Sequence, residues 1–164
     1  MNHVSRFHLL PGAGEAIRRL NDAGFPVIVV TNQSGVGRGY FPETLVQAVH
    51  ELMTQRLAEQ GARLDGIYYC PHAAGDDCEC RKPKIGMLTQ AAKEHGIELR
   101  QSFVVGDRYG DVELAHRAGA RSVFVRTGYG EGELLWKAPK WRVHPDFVAA
   151  SLGDGVSWIL RPNK

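Results

Sequence analysis

Cysteine is scarce in this sequence and is confined to one place. Only 3 of the 164 residues are cysteine, and all of them lie between positions 70 and 80. They do not form a disulfide framework, because one thiol is left over and alternate residues of an extended segment lie too far apart to bridge. Unpaired cysteines are typical of a reducing compartment, so we expect a cytoplasmic protein.

Three other features are missing, and each absence excludes a class of protein. No apolar run approaches membrane-spanning length, and the first residues lack the apolar core of a signal peptide, so we expect no membrane partner. The net charge of +2 leaves no basic stripe for nucleic acid. No internal repeat or low-complexity tract is present, and 164 residues suffice for one domain with a substantial core.

The cysteines share their short stretch with a histidine. Cys-x-His, a five-residue loop and Cys-x-Cys supply three thiolates and one imidazole, the ligand set of a closed, tetrahedral structural zinc site. The four predicted ligands are Cys70, His72, Cys78 and Cys80. The spacing differs from common finger patterns, and the alternative is three unrelated thiols beside a surface histidine. A bound zinc would pin the loop and fix Arg81 and Lys82, two adjacent cations suited to holding an anion.

Short apolar runs alternate with helical patterns along the chain. Predicted strands cover residues 27–30, 67–70, 103–105 and 122–125, and predicted helices cover 13–23, 42–60, 85–95, 111–118 and 154–160. Residues 128–141 contain several glycines and are predicted to form a loop. This alternation predicts an α/β fold, a Rossmann-like parallel sheet with helices on both faces.

Polar residues follow three of the predicted strands. Thr31 and Asn32 follow one strand, Gly106 and Asp107 follow another, and the predicted metal loop, within residues 69–83, follows a third. Because ligands of parallel sheets bind beyond the carboxyl ends of the strands, these residues are expected to share one crevice suited to a phosphoryl group and Mg²⁺. Each residue also has a structural alternative: Thr31 as a helix cap or turn residue, Asp107 as the start of a turn, Asp111 as a helix cap, and Lys82 as a solvated cation.

Four segments together resemble the haloacid-dehalogenase-type phosphatases. They are residues 29–35, 70–72, 78–83 and 106–111. The resemblance is greatest to zinc-containing members that hydrolyse the 7-phosphate of D-glycero-D-manno-heptose 1,7-bisphosphate in lipopolysaccharide precursor synthesis. It covers nearly the whole chain and implies a haloacid-dehalogenase-like fold, structural Zn²⁺, catalytic Mg²⁺, a small phosphorylated sugar as substrate and a monomeric enzyme.

The resemblance also implies a role for each residue of the site. Thr31 contacts the phosphoryl group, Lys82 neutralises its charge, and Asp107 binds Mg²⁺ with support from Asp111. The implied substrate-binding residues are Thr31, Asn32, Gln33, Ser34, Arg81, Lys82 and Arg108. Arg108 stands where some members have lysine, which preserves the charge but alters the geometry.

One family feature is absent from the 164 residues. The nucleophile of these phosphatases lies in an Asp-x-Asp-Gly-Thr segment that ends the first, central strand. Asp65 and Asp154 do not replace it, because Ile67 and Val156 occupy the decisive positions. We therefore expect a single domain over residues 1–164 that is N-terminally truncated relative to the family, lacks the central strand and is inactive as written.

The leading function is hydrolysis of the heptose bisphosphate by a longer enzyme that forms an aspartyl phosphate. Two further functions remain open. Histidinol-phosphate phosphatases share the zinc loop and the following Arg-Lys-Pro, although residues 32–35 and 126–128 are more similar to the heptose enzymes. A pseudoenzyme would bind a phosphosugar without chemistry. Truncation is favoured over a pseudoenzyme, because a lineage losing only catalysis could keep the strand and replace its aspartate.

Overall fold

Strands and helices alternate along the chain in this computed structural model. The structure describes residues 3–161, so residues 1, 2 and 162–164 of the predicted domain lie outside the described part. The strands are β1 (Ile28–Asn32), β2 (Gly66–Cys70), β3 (Phe103–Gly106), β4 (Arg121–Val125) and β5 (Phe147–Ala149). The helices are α1 (Ala13–Asp22), α2 (Glu43–Ala58), α3 (Gly86–His95), α4 (Tyr109–Ala118), α5 (Gly130–Trp136) and α6 (Leu152–Ile159). The α/β class predicted from the sequence is confirmed.

The strands form two parallel sheets. β1 pairs with β2, and β3, β4 and β5 follow one another in the second sheet. Among residues 3–161, no strand lies between β1 and β3, so each has one edge without a ladder partner. The split lies where the sequence predicts the central strand to be missing.

The gap between β1 and β3 is apolar on both faces. Cavities of about 270 and 240 Å³ open onto it, and Val29 and Val105 border both of them. At the carboxyl ends of the strands, Lys82 Nζ donates to the carbonyl oxygen of Val30 at 3.0 Å and to Asp111 Oδ1 at 2.7 Å. Lys82 therefore links β1 to α4 across the polar end of the gap.

The core lies on the two faces of β4. α4 packs on this sheet, and α6 packs against β3, β4 and β5. Val123 and Phe124 are buried on opposite sides of β4, beside Ile159 and Trp141 respectively. Alternate residues of a strand point to opposite faces, so a strand covered on both sides reads as a continuous apolar run. No helix within residues 3–161 has both the length and the apolar character needed to cross a membrane.

The prediction of a loop over residues 128–141 is wrong. This segment contains α5 and a 3-10 turn, Ala138–Lys140, and β5 follows without having been predicted. Gly130 is needed at the start of α5, because a Cβ there would lie 1.9 Å from the carbonyl oxygen of Val125. Glycine therefore marks close backbone contact here and not a break. β5 has three residues, too few to show a period.

Candidate active site and metal centre

The carboxyl ends of β1 and β3 open into one polar cavity of about 480 Å³. Because both strands end at the same cavity, they run in the same direction across the gap. The residues that line it are Thr31, Asn32, Arg81, Lys82, Asp107, Arg108, Gly110, Asp111 and Tyr129. The structure thus brings together most of the site residues predicted from the sequence. We call this cavity the anion pocket, because three of its lining side chains are cationic.

Asn32 fixes the backbone of Lys82. The Asn32 Nδ2 group donates to the Lys82 carbonyl oxygen at 3.2 Å, and the Lys82 N–H donates to Asn32 Oδ1 at 3.0 Å. This reciprocal pair joins the end of β1 to the loop that follows β2. Asn32 therefore positions Lys82, in addition to lining the pocket.

The two carboxylates of the pocket have different partners. Asp107 Oδ2 accepts the Tyr129 N–H at 2.8 Å, whereas Asp111 Oδ1 pairs with Lys82 and its Oδ2 accepts the Arg108 N–H at 3.2 Å. The structural alternative of Asp111 as a helix cap is wrong in detail. α4 begins at Tyr109, so Asp111 occupies the third helical position and accepts the N–H of Arg108, the residue that caps the helix.

The three cationic side chains of the pocket differ in their exposure and in their partners. The Lys82 side chain is 18% exposed and engaged with Asp111, while Arg81 Nη1 donates to the His72 carbonyl oxygen at 3.2 Å. The Arg108 side chain is 47% exposed and lies at the opening. The arrangement can hold one anionic group near Lys82 and leaves further positive charge at the opening.

Gln33 and Ser34 are not among the described residues that line the anion pocket. Gln33 Nε2 donates to Thr31 Oγ1 at 3.2 Å, and its side chain borders a different, small cavity beside Phe41. The Ser34 carbonyl oxygen accepts the Arg38 N–H in the following turn at 3.1 Å. Gln33 therefore orients the hydroxyl of Thr31, and direct substrate contact by either residue stays a prediction.

The predicted zinc ligands come together in space. One ligand atom from each of Cys70, His72, Cys78 and Cys80 lies within 4.8 Å of the other three. Cys70 Sγ is 3.8 Å from Cys78 Sγ and 3.6 Å from His72 Nδ1, and His72 Nδ1 is 3.3 Å from Cys80 Sγ. The three cysteines form no disulfide. Four soft or borderline donors in this space can bind a metal ion.

The environment of Cys70 suits a metal-bound thiolate more than a free one. Cys70 is fully buried at the end of β2, and burial, with added effects of the neighbouring Cys80 and Cys78 thiols, raises its pKa to about 12. A thiol in such a place stays protonated unless a cation compensates the charge. Coordination supplies that charge, so the donor set fits a divalent metal.

The metal loop is held by close backbone packing as well as by its ligand residues. Gly37 donates its N–H to the Pro71 carbonyl oxygen at 2.9 Å, and a Cβ at Gly37 would lie 2.8 Å from the Ala73 nitrogen. On the far side, Lys84 Nζ donates to the Cys78 carbonyl oxygen at 2.7 Å. These contacts place the loop next to Lys82 and the anion pocket.

Sequence reasoning missed Tyr129 and Glu133. Tyr129 lines the anion pocket, and Glu133 is a buried carboxylate beneath Arg108. Both lie in the segment predicted as a loop. The signal available was the Arg126–Gly128 run. Two observations require glycine at 128: its φ is positive at 63°, and a Cβ there would lie 2.3 Å from Asp107 Oδ2.

Known families match this fold and site. A family model described as haloacid dehalogenase-like hydrolase matches residues 1–116, and a second, HAD-hydrolase-like, matches residues 79–155. The chain therefore belongs to the haloacid dehalogenase-like hydrolases. Among its curated relatives are D-glycero-β-D-manno-heptose-1,7-bisphosphate 7-phosphatases. The one from Pseudomonas putida is 43% identical over 86% of this chain and 81% of that protein, and the one from Haemophilus ducreyi is 44% identical over 97% and 88%.

A solved structure agrees with these relatives. The crystal structure of D,D-heptose 1,7-bisphosphate phosphatase from B. bronchiseptica, complexed with magnesium and phosphate, has a TM-score of 0.87 and 34% sequence identity to this chain. The match covers 97% of this chain and 87% of the B. bronchiseptica chain. The related enzyme from Burkholderia thailandensis has a TM-score of 0.74 at 30% identity. The predicted resemblance to heptose bisphosphate phosphatases is confirmed.

Proposed function

We propose that this protein is the chain of a Mg²⁺-dependent phosphatase that removes the 7-phosphate of D-glycero-D-manno-heptose 1,7-bisphosphate. The observation that carries the proposal is the anion pocket, in which Thr31, Lys82 and Asp107 meet at the carboxyl ends of β1 and β3. Relatives that are 35% to 44% identical over most of the chain are named for this reaction. Three unpaired cysteines support a cytoplasmic location.

Each pocket residue has a proposed role. Thr31 donates its hydroxyl to a phosphoryl oxygen, and Lys82 neutralises the charge that develops on the transferring group. Arg81, Asn32 and Arg108 bind the substrate, with Gln33 and Ser34 in support. Asp107 is the proposed ligand of Mg²⁺, with Asp111 behind it, because carboxylate oxygens are its preferred ligands. When bound there, the ion would neutralise negative charge on the phosphoryl oxygens. Magnesium and phosphate are bound in the related B. bronchiseptica structure.

We propose zinc as the ion of the Cys/His cluster. In a tetrahedral site with metal–sulfur distances of about 2.3 Å, ligand atoms stand about 3.8 Å apart, and slightly less where one ligand is a nitrogen. The distances of 3.8 Å between Cys70 and Cys78 and 3.6 Å between Cys70 and His72 match this geometry, whereas the 3.3 Å between His72 and Cys80 is shorter. With four protein ligands the ion has no open position, so its role is structural.

The chemical step needs a nucleophile beyond the residues of the pocket. Of the carboxylates that line it, Asp111 is paired with Lys82, and Asp107 is committed to Tyr129 and the proposed Mg²⁺. We propose that a longer chain supplies the nucleophile, from the Asp-x-Asp-Gly-Thr segment that is found in the family. A carboxylate oxygen of its first aspartate bonds to phosphorus as the P–O bond to the sugar breaks, and the second aspartic acid protonates the leaving sugar oxygen. Water then attacks the aspartyl phosphate, giving a proton to the second aspartate, and releases phosphate and the first aspartate.

The test measures phosphate release from heptose 1,7-bisphosphate with Mg²⁺. Residues 1–164 are compared with the same chain preceded by the family's Asp-x-Asp-Gly-Thr strand. We expect turnover only in the extended chain, and a loss of roughly a hundredfold or more on changing Lys82→Ala there, because one electrostatic donor to the transferring group is removed. Histidinol phosphate serves as the comparison substrate.

Three outcomes would contradict the proposal. Turnover by residues 1–164 alone would mean that Asp107 or another carboxylate of the chain is the nucleophile. Faster turnover of histidinol phosphate would reassign the substrate. Substrate binding by the extended chain without any turnover would identify a pseudoenzyme.

A further inference from the structure

The opening of the anion pocket carries an Arg–Tyr pair that the predicted catalytic set does not include. The Arg108 guanidinium carbon lies 3.5 Å from the centroid of the Tyr129 ring, within stacking distance of its face. Tyr129 is 65% exposed, and both residues line the pocket. We call this pair the Arg–Tyr rim. An aromatic ring kept in solvent beside a polar cavity offers an apolar face to a ligand.

The backbone of Tyr129 is tied to the floor of the pocket. Its N–H donates to Asp107 Oδ2 at 2.8 Å. The preceding Gly128 packs so closely on the same oxygen that a Cβ would lie 2.3 Å away. The rim therefore has a fixed position relative to Asp107, although the Tyr129 side chain itself is exposed.

Arg108 is held from beneath by Glu133. Glu133 is 5% exposed, and its Oε1 lies 3.6 Å from Arg108 Nη1 and accepts a hydrogen bond from Lys137 Nζ. Its Oε2 accepts the Tyr109 N–H at 3.2 Å. Two cations share one carboxylate, so the cluster keeps a net positive charge. Arg108 is thus oriented by Glu133 without being neutralised, and it can still bind an anion.

We propose that the Arg–Tyr rim is the specificity site for the part of the substrate that is not hydrolysed, and that Glu133 is a positioning residue that keeps Arg108 over the Tyr129 ring. The inference rests on the proposed function, because a sugar bisphosphate has a second phosphate outside the reacting centre. Lys82 lies inside the pocket at 18% exposure, whereas Arg108 lies at the opening at 47%. The sugar would pack on the Tyr129 ring while its remote phosphate meets Arg108.

Binding measurements on residues 1–164, which are expected to bind the substrate without turning it over, test the role of the ring. Titration calorimetry with Mg²⁺ compares heptose 1,7-bisphosphate with inorganic phosphate, which can occupy only the inner part of the pocket. Tyr129→Ala is expected to weaken bisphosphate binding about tenfold, since it removes both the stacking surface and the cation–π contact. Phosphate binding is expected to change by less than about twofold. Tyr129→Phe keeps the ring and is expected to bind the bisphosphate like the wild type.

A matched pair of substitutions tests the role of Glu133. Glu133→Gln keeps the shape of the side chain but removes the charge that faces Arg108, so bisphosphate binding is expected to weaken roughly fivefold, again with little change for phosphate. Glu131→Gln is the control on the same helix, because the Glu131 side chain is 47% exposed and pairs with Arg126 through bonds of 2.7 and 2.9 Å. Thermal melting of each variant reports whether Glu133→Gln folds, and the exposed Tyr129 variants provide an independent test.

The results separate this inference from the proposed function. If the wild type prefers the bisphosphate, but Tyr129→Ala weakens both ligands equally or neither, the rim is not a specificity site and the proposed function stands. Equal effects of Glu133→Gln and Glu131→Gln would remove the positioning role. If the wild type binds the bisphosphate no more tightly than phosphate, both proposals are wrong.

Discussion

Lys82 is the side chain through which most parts of the pocket are connected. Its backbone is paired with Asn32, and its ammonium group bonds to the Val30 carbonyl oxygen and to Asp111. A lysine with a mostly buried ammonium group and a paired carboxylate is costly to disturb, because removing either partner leaves the other charge unpaired. Lys82 thus combines a structural role between β1 and α4 with its proposed role in catalysis.

Glu133 is expected to make stability depend on acid pH. Burial raises the pKa of this carboxyl, but the Lys137 hydrogen bond, the Tyr109 N–H and the charges of Lys137 and Arg108 outweigh burial and hold the pKa below its usual 4.5. Because the folded-state pKa is lowered, the stabilisation is complete above about 4.5 and is lost as the pH falls through the lowered folded-state value.

The measurement is the free energy of unfolding of the wild type and Glu133→Gln from pH 7 downward, by denaturant titration. The wild type is expected to be the more stable protein at neutral pH, and the difference is expected to shrink as the carboxyl is protonated. Glu131→Gln, whose ion pair is exposed, is expected to show a much smaller difference. A difference between wild type and Glu133→Gln that stayed constant with pH would show that the charge of Glu133 contributes nothing.

At the scale of elements, the metal loop connects a strand to a helix. Cys70 is the last residue of β2, and α3 begins at Gly86, so the other three ligands lie between these two elements together with Arg81 and Lys82. A Cβ at Gly86 would lie 2.4 Å from the Glu79 carbonyl oxygen, so the loop also packs directly on the start of α3. A metal ion at its centre would fix the distance between the loop and β2.

Removal of zinc is expected to weaken anion binding more than it destabilises the fold. Metal analysis of protein purified without chelator is expected to give one zinc per chain. Stripping the metal should free the segment that carries Arg81 and Lys82, while the core on β4 remains. Phosphate affinity is expected to fall severalfold, with a smaller relative change in thermal stability. Cys80→Ser should reproduce both effects.

Two results would contradict this prediction. Protein that contains no zinc after purification would show that the cluster is not a zinc site. Complete unfolding on metal removal would show that the core on β4 does not suffice without the metal.

For the whole molecule, the gap between β1 and β3 is the weakest part of the architecture. Both strands lie in parallel sheets, whose strands are normally covered on both faces, and each has one edge without a ladder partner among residues 3–161. Here Val29 and Val105 border cavities on either side of the gap. Apolar side chains with an unpaired backbone edge favour association with another strand.

A strand added ahead of the chain is expected to fill the gap and raise the melting temperature. For a domain of this size, about 1 kcal/mol shifts the melting temperature by roughly 2–4 °C, so pairing two edges and covering the apolar cavities should raise it by more than about 5 °C. Residues 1–164 alone are expected to self-associate more at equal concentration. Calorimetry and sedimentation velocity provide the two measurements.

The control for that prediction is the same added segment carrying two proline substitutions, which remove ladder hydrogen bonds. It should leave the melting temperature and the self-association of residues 1–164 unchanged. An equal rise with the proline-containing segment would show that the added residues act elsewhere and that the gap does not accept a strand.

The sequence by itself determined the features that depend on residue type and local period. The zinc ligand set was readable because three thiols and an imidazole fall within eleven residues, from Cys70 to Cys80. The strands β1 to β4 were readable because each contains a short apolar run, and β1 and β3 could be placed at one crevice because polar residues stand at their carboxyl ends.

Only the tertiary structure decided which distant residues complete the pocket. Tyr129 and Glu133 lie in a glycine-containing segment whose local pattern indicated a loop, and their positions depend on contacts with Asp107, Arg108 and Tyr109, more than 20 residues away. Such contacts leave no local period in the sequence. The split between β1 and β3 likewise shows only in the pairing of strands, because hydrogen bonds between strands depend on the whole chain and not on the apolar run that forms each one.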